Sequence, residues 1–213
     1  MGRLYEATWG RMFSAAYDRA LAATEDAGLR EIRRDLLSEA SGRTVEIGAG
    51  TGANLELYPA AAHHLALVEP GPHMRRRLDP RAREAAPAVE VIAAPAESLP
   101  FEDDEFDTAV FTLALCTVPD PEAALAEAAR VLKPSGKLLF LEHVRSNSPR
   151  LAQWQDRLES VWRFLGDGCH CNRDTVATIK ASPLRLERVE HGRLPKALPL
   201  IRPLVHGTAV APA

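Results

Sequence analysis

The sequence lacks a long apolar run, a secretory leader, a surplus of positive charge and a paired set of cysteines, and each shortage excludes something. No uncharged apolar stretch reaches the ~20 residues that span a bilayer; "TAVFTLALCTVP" (Thr108 to Pro119) is too short. The opening "MGRLYEATWGRMF" has no apolar signal-peptide core, and Glu6 stands where a myristoylation signal needs Ser or Thr. With 26 Lys and Arg against 29 Asp and Glu, the net charge of -3 offers no basic face for nucleic acid. The arginine run "HMRRRLDPRAR" (His73 to Arg83) reads as a solvated helix face. Three cysteines, an odd number without a secretory signal, imply reduced thiols. A soluble, cytoplasmic protein with no membrane span is expected.

What is present fits an ordinary globule: 213 residues, 46% hydrophobic and 26% charged, long enough for one well-buried core. The first 40 residues carry apolar side chains at helical spacing in "SAAYDRALAATEDA" and "LREIRRDLLSEA", separated by Gly28. Strands then alternate with helices. "RTVEI", "HLALVEP", "VEVIAA", "FDTAVFTL" and "KLLFLEHV" read as strands, with a helix from near Gly52, one opening at "GPHMRRRL", and one at "DPEAALAEAARVL" capped by Asp120. "PSG" reads as the turn before the fifth strand. Two helices and two late strands, "LRLERVEHG" and "PLVHGTAV", complete the chain. The expected fold is α/β: a doubly wound, mostly parallel seven-stranded sheet with an antiparallel edge strand. One domain over 1–213 is expected, divided into a helical cover (1–42), a cofactor-binding core (43–145) and substrate-side helices with the last two strands (146–213).

"VEIGAGTGANL" (Val45 to Leu55) sets Gly48, Gly50 and Gly52 between a strand and the next element. Glycines there let a ligand approach the backbone. The spacing is GxGxG, shorter than the dinucleotide fingerprint. Glu69 ends the following strand, where a carboxylate can take both hydroxyls of a ribose.

Together "VEIGAGTGANL", "LALVEP", "AESLPFEDDEFDTAVFTLAL" and "ARVLKPSGKLLFLEHV" resemble the class I S-adenosylmethionine-dependent methyltransferases, a Rossmann-like fold. "GTGANLELYP", "TLALCTVPD", "LEHV" and "GDGCHCNRDT" are similar to the methyltransferase-like thiol methyltransferases, over about Tyr17 to Val210. Eukaryotic members of that family carry an N-terminal membrane segment that this sequence does not show. The resemblance implies S-adenosyl-L-methionine as cofactor. It places Glu46, Gly48, Ala49, Gly50 and Gly52 around the methionine portion, Glu69 on the ribose, and Pro70 with Gly71 beside the adenine. The usual acidic residue before an adenine-facing Ala is replaced by Pro95; Ala96 supplies the amide and Glu97 is the candidate substitute carboxylate. Thr112 and Leu113 are implied near the transferable methyl.

The acceptor decides how much base the chemistry needs. A thiol of pKa ~8.5 becomes a thiolate at pH 7 for about 2 kcal/mol, whereas a phenol of pKa ~10 needs about 4 kcal/mol. His143, at the carboxyl end of the fifth strand, is the candidate base or orienter; its bland alternative is a histidine satisfied by backbone. Tyr17 lies in the helix that covers the active site in similar enzymes, or packs in the core. His191 and His206 read as structural, His63 and His64 as surface residues. In "GDGCHCNRDT" (Gly166 to Thr175), Cys169, His170 and Cys171 fall short of a four-ligand zinc set unless His143 joins, and no metal is expected. A metalloid site built from Cys116, Cys169 and Cys171 is the soft-substrate alternative. The favoured reading is a wall of the acceptor pocket, with Arg173 stabilising a thiolate and Asp167, Asn172 or Asp174 capping the next helix. The expected function is methyl transfer to a small molecule, a thiol first. The alternatives are O- or N-methylation of a natural product, quinone precursor or phospholipid headgroup, and S-adenosylmethionine binding without transfer.

Overall fold

The computed structural model describes residues 9–85 and 89–213. Seven strands are present among them: β1 (Arg43–Ile47), β2 (His64–Val68), β3 (Val89–Ile92), β4 (Phe106–Thr112), β5 (Leu132–His143), β6 (Arg185–Arg193) and β7 (Pro203–Val210). They form one sheet in the order β3-β2-β1-β4-β5-β7-β6. The first five pair in parallel, and the antiparallel pairing lies toward one edge, where β7 runs between β5 and the outermost β6.

The near-continuous apolar runs of β4 and β5 follow from burial on both faces. Phe111 and Phe140 pack on one side with Val45, Ile47 and Leu125, while Val110, Leu139 and Leu141 pack on the other with Leu36, Leu67 and Leu78. Phe140 is wholly buried, so Phe140→Ala would cost about 3–5 kcal/mol through lost transfer energy and a residual cavity.

Helices α1 (Arg11–Thr24) and α2 (Arg30–Leu37) are joined across a kink within Glu25–Leu29, where Gly28 leaves the helical region at φ 127°. Helices α3 (Pro72–Ala85) and α4 (Pro121–Val131) follow β2 and β4. Asp120 caps α4 as expected, its side chain accepting from the Glu122 and Ala123 amides, with Pro121 in the first turn. Helices α5 (Pro149–Leu165) and α6 (Thr175–Ala181) precede the last two strands.

Two local expectations are corrected. No α-helix starts near Gly52: a turn leads into a three-residue 3-10 helix, Leu55–Leu57. Only six residues separate Gly52 from Pro59, and the Asn54 side chain is drawn inward, so no helical turn propagates. The Pro134–Gly136 segment lies within β5, where it is accommodated by a register shift against β4 and by Ser135 at φ 63°. Of the three candidate caps for α6, Asp174 performs the role, accepting from Ala177 N at 3.0 Å. Asn172 instead donates to Asp156, and Asp167 sits in the left-handed region at φ 51°.

Candidate active site

The carboxyl ends of β1, β2, β4 and β5 define one rim, and the glycine turn lies at its centre. Gly48, Gly50 and Gly52 all have positive φ, at 78°, 57° and 85°. The turn is held from inside: Gly48 N and Ala49 N donate to Val68 O, and Gly52 N donates to Ala49 O. Gly50 N donates to Glu69 Oε2 at 2.9 Å, and Gly71 N to Glu69 Oε1 at 2.7 Å. The Gly50 amide is thus committed to Glu69. A Cβ at Gly50 would meet no atom within 4 Å, so its Cα borders open space. Burial pushes the Glu69 carboxyl up, against the opposing effect of the Gly71 and Gly50 amides and of Arg75.

Beside the turn lies a buried polar network. Asn54 Nδ2 donates to Glu46 Oε1 and to Thr112 Oγ1, both at 2.8 Å, and Tyr58 donates its hydroxyl to Glu46 Oε2 at 2.8 Å. Arg33, 2% exposed, donates from Nη1 to Asn54 Oδ1 at 3.0 Å and from Nε to Glu25 Oε1 at 3.1 Å. Glu46 is pushed up to about 7, because burial outweighs the Tyr58 and Asn54 hydrogen bonds and the Arg33 charge. The network fastens α2 to the glycine turn and to the end of β4.

Helix α1 closes over the same rim. Thr51 donates its hydroxyl to Asp18 Oδ1 at 2.6 Å, and Arg81 bridges Asp18 Oδ2 at 2.7 Å and Thr51 O at 2.8 Å. Arg75 donates to the carbonyls of Glu69 and Pro70. The arginine run is therefore not wholly a solvated face: two of its members tie α3 to the loops of the rim. Tyr17 of α1 is half-buried and tilted against Phe13, within electrostatic reach of Arg33, Cys116 and Cys169, and burial raises its phenol.

Past β4 the chain bends at Leu113, φ 56°, whose amide donates to Leu141 O at 2.7 Å. The Glu142 carboxylate, wholly buried, then receives the amides of Ala114 and Leu115 at 2.8 and 2.9 Å. That pair positions Cys116. His143, 4% exposed, sets Nε2 2.9 Å from Cys169 Sγ, which also lies 3.8 Å from Cys116 Sγ and receives the Trp162 indole N–H at 3.3 Å. Among the described residues, His143 Nδ1 is buried without a hydrogen-bond partner. Burial pushes the His143 imidazole down, but the Cys116 and Glu142 charges prevail and raise it. Arg173 donates to Leu115 O and contributes positive potential at Cys116 and Cys169. A cavity of about 530 Å³ opens alongside, lined by Thr117, Pro119, Arg163, Gly168, His170 and Arg173.

The structure thus gathers Glu46, Gly48, Ala49, Gly50, Gly52, Glu69 and Thr112 at one part of the rim, and His143 and Arg173 beside Leu113 at another. Cys171 does not join Cys169: it is wholly buried, with Sγ 3.6 Å from Gln155 O, and burial raises it to about 11. The three-thiol arrangement therefore does not form. Ala96 is buried, whereas Glu97 takes the Asp120 amide at 3.0 Å. Arg33, Asn54, Tyr58 and Glu142 escaped the sequence reading. Only Asn54 and Tyr58, both just after the glycine turn, had a positional signal.

Residues 45–140 match the family described as "Methyltransferase domain". Thiol S-methyltransferase TMT1A of Homo sapiens is 31% identical over 170 residues, covering 78% of this chain and 69% of that protein. Thiol S-methyltransferase TMT1B of Rattus norvegicus is 36% identical over 173 residues, with the same two coverages, 78% and 69%. The crystal structure of a SAM-dependent methyltransferase from Thermotoga maritima superposes with a TM-score of 0.69, covering 94% of this chain and 97% of that one at 24% identity. Among the described residues no helix is long and apolar enough to cross a membrane. The fold, the glycine turn with its acidic partner and these relatives agree: the chain is an enzyme that uses S-adenosyl-L-methionine as methyl donor, and it belongs to the class I S-adenosylmethionine-dependent methyltransferases, resembling within them the thiol methyltransferase family.

Proposed function

We propose that the chain methylates the sulfur of a small thiol. The observation that carries this reading is the placement of two cysteine sulfurs, an imidazole and an arginine at the end of β4 and β5, where the Glu142 carboxylate is committed to backbone amides, in a chain similar to thiol S-methyltransferases.

The residues present fit the methyl donor. Open space borders Gly50, and the Glu69 carboxylate beside it keeps further lone pairs after receiving two amides. When bound, S-adenosylmethionine supplies a methyl group already activated on a positive sulfur. Glu69 holds the ribose hydroxyls, and Gly48, Ala49, Gly50 and Gly52 give the backbone close approach. Glu46 holds the ammonium of the methionine portion, fixed in place by Asn54 and Tyr58. Pro70 and Ala96 flank the adenine, while Glu97 works at one remove by fixing Asp120 N.

On the acceptor side, Arg173 raises the local positive potential and favours the thiolate, whose formation at pH 7 costs only about 2 kcal/mol. His143 orients the acceptor from the end of β5. Tyr17, brought over the rim by α1, limits water access. Asp167 shapes the loop that carries Cys169. Holding the thiolate in line at near-attack distance supplies up to ~7–11 kcal/mol of the barrier.

The test is a transfer assay with alkyl thiols, aryl thiols, hydrogen sulfide, phenols and amines. Methyl thioethers are expected as the main products. Preferential methylation of oxygen, nitrogen or carbon would overturn the thiol reading and leave the methyltransferase assignment standing.

A further inference from the structure

Three side chains from three separate segments converge where the sequence offered only a Cys-His-Cys triplet. Cys116 comes from the β4 exit, His143 from the end of β5, and Cys169 from the loop after α5. Their Sγ, Nε2 and Sγ atoms all lie within 4.8 Å of one another. We propose that Cys116, His143 and Cys169 form a binding site for a soft divalent cation, zinc, with a fourth position open to the acceptor's sulfur.

The spacing supports this. Two thiolates bound tetrahedrally to zinc at ~2.3 Å stand about 3.8 Å apart. The Cys116 and Cys169 sulfurs are already at 3.8 Å. A tetrahedral sulfur–nitrogen edge is about 3.5 Å. The 2.9 Å between His143 Nε2 and Cys169 Sγ therefore has to open only slightly. Sulfur and imidazole donors select zinc over magnesium or calcium, and two thiolates with a neutral imidazole balance its charge. Three protein ligands with a vacant fourth position are the arrangement of catalytic zinc.

The surroundings support the two cysteines. Trp162 Nε1 donates to Cys169 Sγ at 3.3 Å, an outer hydrogen bond that orients the sulfur. Glu142 fixes the backbone at Leu115 and Cys116, the latter amide lying 3.4 Å from its carboxylate. Cys116 and His143 are buried while Cys169 is half-exposed, and the cavity lined by Gly168, His170 and Arg173 lies next to it in the chain. Neighbouring donors are otherwise engaged. His170 Nδ1 pairs with Glu159 at 2.8 Å, and Cys171 faces Gln155 O.

The identity of the fourth ligand, though not of the metal site, rests on the thiol reading above. An acceptor thiol entering that position gives its proton to solvent as its sulfur binds the metal. Methyl transfer then forms the new S–CH3 bond with a sulfur lone pair and breaks the donor's C–S bond, whose electrons remain on S-adenosylhomocysteine. The product thioether, a weaker ligand, leaves.

The test is a zinc titration of the full chain, kept reduced with a phosphine, against a chromophoric chelator. Cobalt substitution is read by absorbance. One zinc per chain is expected, with a thiolate-to-cobalt charge-transfer band in the wild type. Cys116→Ser, His143→Ala and Cys169→Ser should each weaken zinc binding by about a hundredfold or more, while Cys171→Ser leaves it within about threefold. S-adenosylhomocysteine binding checks that each variant is folded. Absence of stoichiometric zinc, absence of the band in the wild type, or zinc retained by the Cys116/Cys169 double variant overturns the site. Thiol methylation by a demonstrably zinc-free protein would overturn the acceptor sulfur as fourth ligand while sparing the function; zinc binding without thiol methylation would overturn the thiol reading while sparing the site.

Discussion

Glu69 accepts the N–H of Gly50 at 2.9 Å, so the acid that follows β2 also sets the shape of the glycine turn. Its second oxygen accepts the Gly71 amide. Glu69→Ala therefore removes the proposed ribose clamp and two internal contacts together. Each hydrogen bond to a charged acceptor contributes about 1.5–3 kcal/mol. Calorimetry should show at least about a tenfold loss of S-adenosylmethionine affinity, with a lower unfolding midpoint as well. Wild-type affinity would remove Glu69 from the binding site.

Burial lifts Glu46 to about 7, so its proposed role toward the methionine ammonium predicts a pH dependence of cofactor binding. An ammonium beside it favours the carboxylate, so binding below that pH releases a proton. Affinity should rise with pH up to about 7 and then level, and calorimetry at pH 6 should detect proton release in buffers of different ionisation enthalpy. Glu46→Gln should lose that component.

The same group affects stability with the opposite trend. Its folded value lies above the ordinary 4.5, so it contributes stability below pH 4.5 that is lost as pH rises through about 7. At 1.36 kcal/mol per unit the loss is about 3 kcal/mol. Urea unfolding of the ligand-free protein at pH 4.5 and 8 should show it as a difference between the wild type and Glu46→Gln.

The sheet was legible because its strands are apolar runs between glycine and proline punctuation, and burial on both faces leaves that pattern no competitor. Glu69 was legible because it follows a strand. Arg33 was not: it occupies an amphipathic helix, where an arginine normally faces water, and its partners Glu25 and Asn54 are 8 and 21 residues away. Glu142 was hidden between Leu141 and His143, since nothing local marks a carboxylate that serves amides 27 and 28 residues earlier. Cysteine adjacency misled in the same way. Cys169 and Cys171 share a loop but point to different environments, and Cys169 meets Cys116 from 53 residues away.

Arg33 offers a direct test of the cover. Arg33→Met leaves Glu25 and Asn54 without their buried partner, and removal of one member of such a pair costs about 3 kcal/mol or more. The variant should unfold at lower urea, and limited proteolysis should cut near Glu25–Leu29 sooner than in the wild type. Adding Glu25→Gln should recover part of the loss, because the stranded charge is then gone.

The glycine turn separates binding from stability. Gly48 and Gly50 both have positive φ, so alanine at either strains the backbone by ~1–2 kcal/mol. Their surroundings differ. A Cβ on Gly48 would sit 2.6 Å from the Ala114 Cβ, so the β4 exit would have to move, adding about 1–3 kcal/mol of overpacking. A Cβ on Gly50 would meet nothing within 4 Å and would instead project into the space assigned to the cofactor. Gly48→Ala should therefore lower the unfolding midpoint more than Gly50→Ala, and should disturb the Cys116 region as well. Gly50→Ala should lose only the ~1–2 kcal/mol of backbone strain in stability yet lose more than about tenfold in S-adenosylmethionine affinity. If Gly50→Ala bound the cofactor normally, the open space beside Glu69 would not be the place where it lies.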